Sequence, residues 1–218
     1  MTEYEHIMYA SDSHISQLFS EHFGDVSQIE VESTEEISST VEGKLGALVA
    51  SLNGDVSGGV STSEIKKMNF DDDLFQIKAV VNELVQDDSI PQVSELGNLS
   101  GNLNSLYRFS SEVILTPAES PIDDENYVEV TGFEGDVKFR GITSLENWGS
   151  RSHLLNAKRA DDTYPFQGVF TPISVDRQVL DTVELTVQFL FICAPDKEAR
   201  NRWFNRQNLK KELFELES

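Results

Sequence analysis

Five side chains able to hold an anion surround one tryptophan: Arg140, Arg151, His153, Lys158 and Arg159 flank Trp148. Guanidinium and ammonium groups take phosphate or carboxylate oxygens, and an indole offers a face for stacking. The segment is therefore the expected place for a small anion such as a nucleotide, which would make the chain a sensor. A second basic group, Arg200, Arg202, Arg206, Lys210 and Lys211, has Trp203 and Phe204 among its members. Ala199, Trp203, Leu209, Leu213 and Phe214 give that stretch a broad apolar stripe, so packing or docking on a partner is the simpler expectation. Asp71, Asp72 and Asp73 stand at a helix start, where carboxylates meet the positive end of the dipole. Capping accounts for them without an ion. Asp71, Asp72 and Asp73, with Arg200, Arg202, Trp203 and Arg206, are the expected partner-binding residues.

Other chemistry is thin. His6, His14 and His22 recur every eight residues, but on one helix His14 and His22 would stand about 12 Å apart and ~80° around the axis. One ion cannot join them, and no metal or cofactor is expected. Cys193 is the only cysteine and ends an apolar strand, where a thiol is inert packing. Neither a G-x-S-x-G elbow nor a glycine-rich phosphate loop occurs. No catalytic residue is expected, and the chain reads as a non-enzyme.

One acid and lysine pattern points the other way. Asp123 or Asp124, followed by Asp136-Val137-Lys138, resembles the D…(D/E)-x-K pattern of restriction-endonuclease-like nucleases. The resemblance implies two carboxylates on a divalent metal and a lysine that helps activate water. Lys138 nonetheless alternates with Val137 and Phe139 as a solvent-facing residue would, and an acidic chain needs a basic groove to hold DNA.

The charge is the loudest feature. The net value is −21, and residues 1–130 carry 5 Lys/Arg against 25 Asp/Glu, a balance of −20, while residues 131–218 carry 12 against 13, a balance of −1. Adaptation to salt would acidify both parts alike. An uneven field bears on partners: it repels nucleic acid and attracts basic protein surfaces.

The elements that must position these groups follow from periodicity. A strand is predicted at His6 to Tyr9, then a helix with Ile15, Leu18, Phe19, His22 and Phe23 on one face, capped by Ser11 or Asp12 and ended at Gly24. Gly46, Ala50, Gly54 and Gly58 recur every four residues in a glycine-rich stretch that reads as a loop or a face for self-association. A second helix carries Leu74, Ile77, Val80, Val81, Leu84 and Val85 and stops before Pro91. Residues 91–126 read as a connector, within which Glu112 to Leu115 reads as a strand. Four strands follow: Tyr127 to Phe133, Val137 to Thr143, Gly168 to Val175 and Val183 to Cys193, the last one central. Gly135-Asp136 reads as a hairpin turn. Thr143-Ser144-Leu145-Glu146 offers a capping box for a short helix containing Trp148 and Leu155, and Pro195 to Ser218 is helical by composition.

The fold class expected is α+β: an acidic helical front half, then an antiparallel β-rich rear half closed by a terminal helix. The regions are 1–90, a connector at 91–126, and 127–218. No apolar run reaches the ~20 residues that span a bilayer, and Met1 to Ala10 has no basic leader. A soluble cytoplasmic protein is expected.

Tyr9 to Phe19, Gly43 to Ser63 and Asp71 to Leu84 are similar to the strand and helix opening, Ser/Thr/Gly-rich stretch and acidic helix of a group of uncharacterised bacterial proteins. The resemblance implies a bacterial or phage source and a defence setting, with no activity attached. The expected function is an interaction protein that offers an acidic surface to a basic partner, as an inhibitor or charge mimic, with homo-oligomerisation compatible. The alternatives are the nucleotide sensor and the metal nuclease.

Overall fold

A computed structural model describes residues 6–27, 73–96, 105–118, 127–149, 163–179 and 182–201. The glycine-rich stretch at 43–63 lies outside them. The chain divides into two compact units, Met1–Thr2 with Asp12–Asp87, and Glu3–Ser11 with Asp88–Ser218. Both helices and a large sheet are present, so the α+β class holds.

The first unit contains helices α1 (Asp12–Ser27) and α2 (Asp73–Gln86), which pack on each other. Ile15 and Phe19 of α1 are buried and Leu18 is half-buried, as the 3.6-residue period requires. His22 is exposed, not part of that face. The helix also runs three residues past Gly24, which is therefore a helical position and not a stop. In α2, Ala79, Val80, Val81 and Leu84 are buried while Lys78, Glu83 and Gln86 face water. Asp73 opens the helix, and no helix among the described residues is long and apolar enough to cross a membrane.

The second unit is a six-stranded sheet: β1 (Ile7–Ala10), β2 (Tyr107–Pro117), β3 (Tyr127–Glu134), β4 (Val137–Ser144), β5 (Thr163–Val179) and β6 (Thr182–Cys193). Strand order is β1-β6-β4-β3-β2-β5, and β5 pairs again with β6. That last pairing closes β2, β3, β4, β6 and β5 into a ring, with β1 added beside the end of β6. Strands β2, β3 and β4 form a meander, and β5 returns to lie against β2, which is Greek-key connectivity. A closed Greek-key ring of this kind is a small-barrel architecture, and such architectures host many unrelated functions. All pairings are antiparallel except β4 with β6, which run parallel from Val137 beside Val183 to Arg140 beside Thr186. The sheet is antiparallel as expected apart from that seam, because a closed ring of five strands needs at least one parallel pairing.

Side chains on alternate strand positions fill the ring. Phe109, Phe139, Phe170 and Phe189 meet in all six pairwise combinations, with ring centroids 5.0 to 6.3 Å apart. A small barrel accommodates such rings only if some opposing positions are empty. Gly132 and Gly168 supply that room: a Cβ at Gly132 would strike the Phe139 ring, and one at Gly168 would strike the Phe191 carbonyl and the Phe109 ring. The Gly135 and Asp136 turn joins β3 to β4, and Gly135 adopts a φ of 59° that suits glycine.

Two edges are closed by side chains or short segments. The Ser111 hydroxyl donates to the Phe133 carbonyl at 2.7 Å and accepts from the Phe133 N–H at 3.1 Å, and the Ser110 N–H donates to Glu134 Oε2 at 2.7 Å. Farther along, the Arg108 N–H donates to the Pro91 carbonyl at 2.9 Å, beside the 3-10 turn Val93–Glu95. The strand expected at Glu112 to Leu115 is thus an eleven-residue member of the barrel.

Candidate functional site

Trp148 is the residue on which the anion-site expectation turned, and it belongs to the core. Its exposure is 5%, its ring lies 5.6 Å from Tyr9 and 6.3 Å from Phe166, and its backbone bridges to Tyr9. The indole N–H donates to Thr143 Oγ1 at 3.1 Å, and that buried hydroxyl donates onward to the Val128 carbonyl at 3.0 Å. An indole with its face covered and its only donor engaged cannot stack on a ligand, so the Trp148 assignment is corrected. The expected capping box also fails. Leu145–Asn147 is a single 3-10 turn with no side-chain cap; Thr143 looks inward, and Ser144 Oγ donates to its neighbour Glu146 at 3.2 Å.

Arg140 points the opposite way, onto the outer wall. Its side chain is half exposed, and Nη2 stands 3.2 Å from Asp176 Oδ2 with Nε at 3.3 Å from the same oxygen. Thr186 donates to that carboxylate at 2.7 Å and Ser174 at 2.8 Å. The Thr186 hydroxyl does most to hold the Asp176 carboxyl below its ordinary value, partial burial opposes it, and Ser174 and Arg140 add to the lowering. This cluster spans β4, β6 and β5, which the parallel seam and the closing hairpin bring side by side. Arg140 is therefore not a free cation awaiting an anion.

Lys138 stands two residues before it on the same wall. Its Nζ lies 3.6 Å from Glu184 Oε1 and 5.9 Å from the centre of the Phe133 ring. The lysine of the nuclease-like pattern thus faces a carboxylate across the parallel seam, and Asp136 is exposed in the hairpin turn. Asp123 and Asp124 lie outside the described residues. Among the described residues no group of three or more His, Cys, Asp or Glu is arranged to hold a metal ion. Burial raises the Cys193 thiol far above its ordinary value, which removes the thiolate a nucleophile needs.

The same wall carries exposed apolar side chains that the sequence reading passed over. Phe133 is 55% exposed, Ile142 57% and Tyr127 39%. In register, Phe133 lies beside Lys138, Thr131 beside Arg140, Glu129 beside Ile142 and Tyr127 beside Ser144. Their signal was available: each occupies the polar phase of an alternating strand. Of the expected partner-binding residues, Asp73 opens α2, and Arg200 is half-buried in a helical turn at 197–201 that Asp196 caps through Oδ1 to the Ala199 N–H at 2.6 Å. Arg151, His153, Lys158, Arg159, Asp71, Asp72, Arg202, Trp203 and Arg206 lie outside the described residues. Comparison with family models, with curated proteins and with solved structures finds no match.

Proposed function

We propose that the protein is a non-enzymatic interaction protein of the cytoplasm that offers carboxylates to a basic surface on a protein partner. The observation that carries this reading is the charge balance of −20 over residues 1–130, from 5 Lys/Arg and 25 Asp/Glu. The outer face of β4 supports it, because its two cations, Lys138 and Arg140, are each paired with an acid. Such a surface offers phosphate little to bind and offers a lysine-rich protein a strong field. The resemblance of the leading half to bacterial proteins supports a bacterial or phage setting, in which a charge mimic would block a nucleic-acid-binding enzyme.

The test is the mass of the protein in solution, with and without lysate of the source cell, at low and at high salt. The expected result is a mass gain with lysate at low salt that disappears as salt rises. An unchanged mass at low salt, or a complex indifferent to salt, would remove the reading.

A further inference from the structure

We infer that the outer wall of the β3 and β4 hairpin is the docking surface, and that its occupant is a cationic protein segment carrying apolar side chains. This rests on the acidic-surface reading and specifies where and how the partner would sit.

Three observations converge on that wall. Phe133 and Ile142 are more than half exposed, and they lie on the same face of one hairpin with Tyr127 beside them. Apolar side chains grouped on a strand's water-facing phase cost solubility and mark contact surfaces more often than isolated ones do. The hairpin is rigid: all eight residues of β3 pair with β4, so the side chains stand in fixed rows.

Charge decides the kind of occupant. Lys138 is held by Glu184, and Arg140 by Asp176, so the wall's cations are already neutralised. The charges nearest the exposed apolar side chains are acids: Glu129 lies directly beside Ile142, Glu112 is exposed on the neighbouring β2, and Asp136 is exposed in the turn next to Phe133, while the exposed Arg177 stands on β5 in register with Glu184. A single-stranded nucleic acid on a barrel wall needs a cationic track beneath its backbone as well as aromatic platforms. This wall has the aromatics and lacks the track. Lysine or arginine side chains of a protein partner would meet Glu129, Glu112 and Asp136 while intervening apolar side chains cover Phe133 and Ile142. The contact from Phe133 to Glu129 spans about 13 Å along the strand, which a short extended segment covers.

The experiment uses the full chain and three labelled probes read by fluorescence anisotropy at low salt. They are a short capped peptide alternating lysine and valine, one of equal length alternating lysine and serine, and a single-stranded oligothymidylate. The lysine and valine peptide is expected to bind about tenfold tighter than the lysine and serine peptide. In a Phe133→Ser, Ile142→Ser double variant that advantage should vanish, and Glu129→Lys should weaken both peptides. Both apolar positions are exposed, so an unchanged circular dichroism spectrum shows that the variant is folded. Equal affinity of the two peptides for the unaltered chain, or a double variant that keeps the preference, overturns the docking surface while leaving the acidic reading standing. Failure of both peptides to bind at low salt removes the two together. Oligothymidylate binding that the double variant abolishes would assign the wall to nucleic acid and overturn the proposal.

Discussion

The two walls of the barrel are made from the same strands and obey opposite rules. Inside, four phenylalanine rings share one volume, and glycines at 132 and 168 leave the space those rings need. Outside, Lys138 of β4 faces Glu184 across the parallel seam, Arg140 reaches Asp176 of β5, and Phe133 and Ile142 stay in water. The inner wall is determined by volume and tolerates no change in shape. The outer wall is determined by charge and is free to change. The proposed docking uses the second wall, where side chains are both reachable and dispensable to the fold.

Breaking the inner wall should give the largest effect. Phe139→Ala removes the ring that touches three others and faces Gly132, and should cost about 3–5 kcal/mol in denaturant unfolding. A loss below about 1 kcal/mol would mean that the rings do not form one packed centre. Gly168→Ala should follow at about 1–3 kcal/mol, since the added carbon meets the Phe191 carbonyl, a backbone atom that cannot turn aside. Neutral behaviour there would show that β5 and β6 sit farther apart than the structure has them. Thr143→Val keeps the shape and strands the Trp148 N–H without its acceptor, for a cost of about 1–3 kcal/mol; Trp148→Phe, which removes the donor as well, should recover part of it in combination.

The outer wall should respond least. Arg140→Ala breaks an exposed ion pair and should change stability by less than about 1 kcal/mol, with a smaller difference at high salt. Asp176 sharpens the comparison through pH. Its carboxyl sits below the ordinary value of 3.8 in the folded chain, chiefly because Thr186 donates to it. A lowered acid contributes stability that is present above pH 3.8 and is lost as pH falls through the folded value. Carboxyl titration by NMR should therefore place Asp176 below 3.8, and Thr186→Val should move it upward. A midpoint at or above 3.8 would show that the cluster does not form.

Much of this architecture was legible in the residues. The alternation Val183, Leu185, Val187, Phe189 marked β6 as a strand, and it proves central, with β5 on one side and β4 and β1 on the other. Gly135-Asp136 marked the hairpin, and the apolar stripe of α2 marked its buried face. Closure of the barrel was not legible, because it depends on pairings between β5 and both β2 and β6 that no local pattern carries. The strand expected at Gly168 to Val175 crossed Pro172 but fell short of β5 at both ends; Pro172 sits at a register shift against β6, where a missing donor is tolerated. Tyr107 to Phe109 looked like connector because the glycine and asparagine turns before them dominate the composition. At the candidate site, clustering of basic residues around a tryptophan suggested an anion pocket. Position along the chain could not say that Trp148 faces inward and Arg140 outward, since Thr143 takes one and Asp176 the other.

The claim that most needs testing is that recognition is driven by the carboxylate field. The direct measurement is the affinity of the lysine and valine peptide for the full chain as salt rises from about 0.05 to about 0.5 M, over which exposed charges become screened. The affinity should fall steadily across that range. An affinity that holds constant would contradict it, because the contact would then owe nothing to the acids.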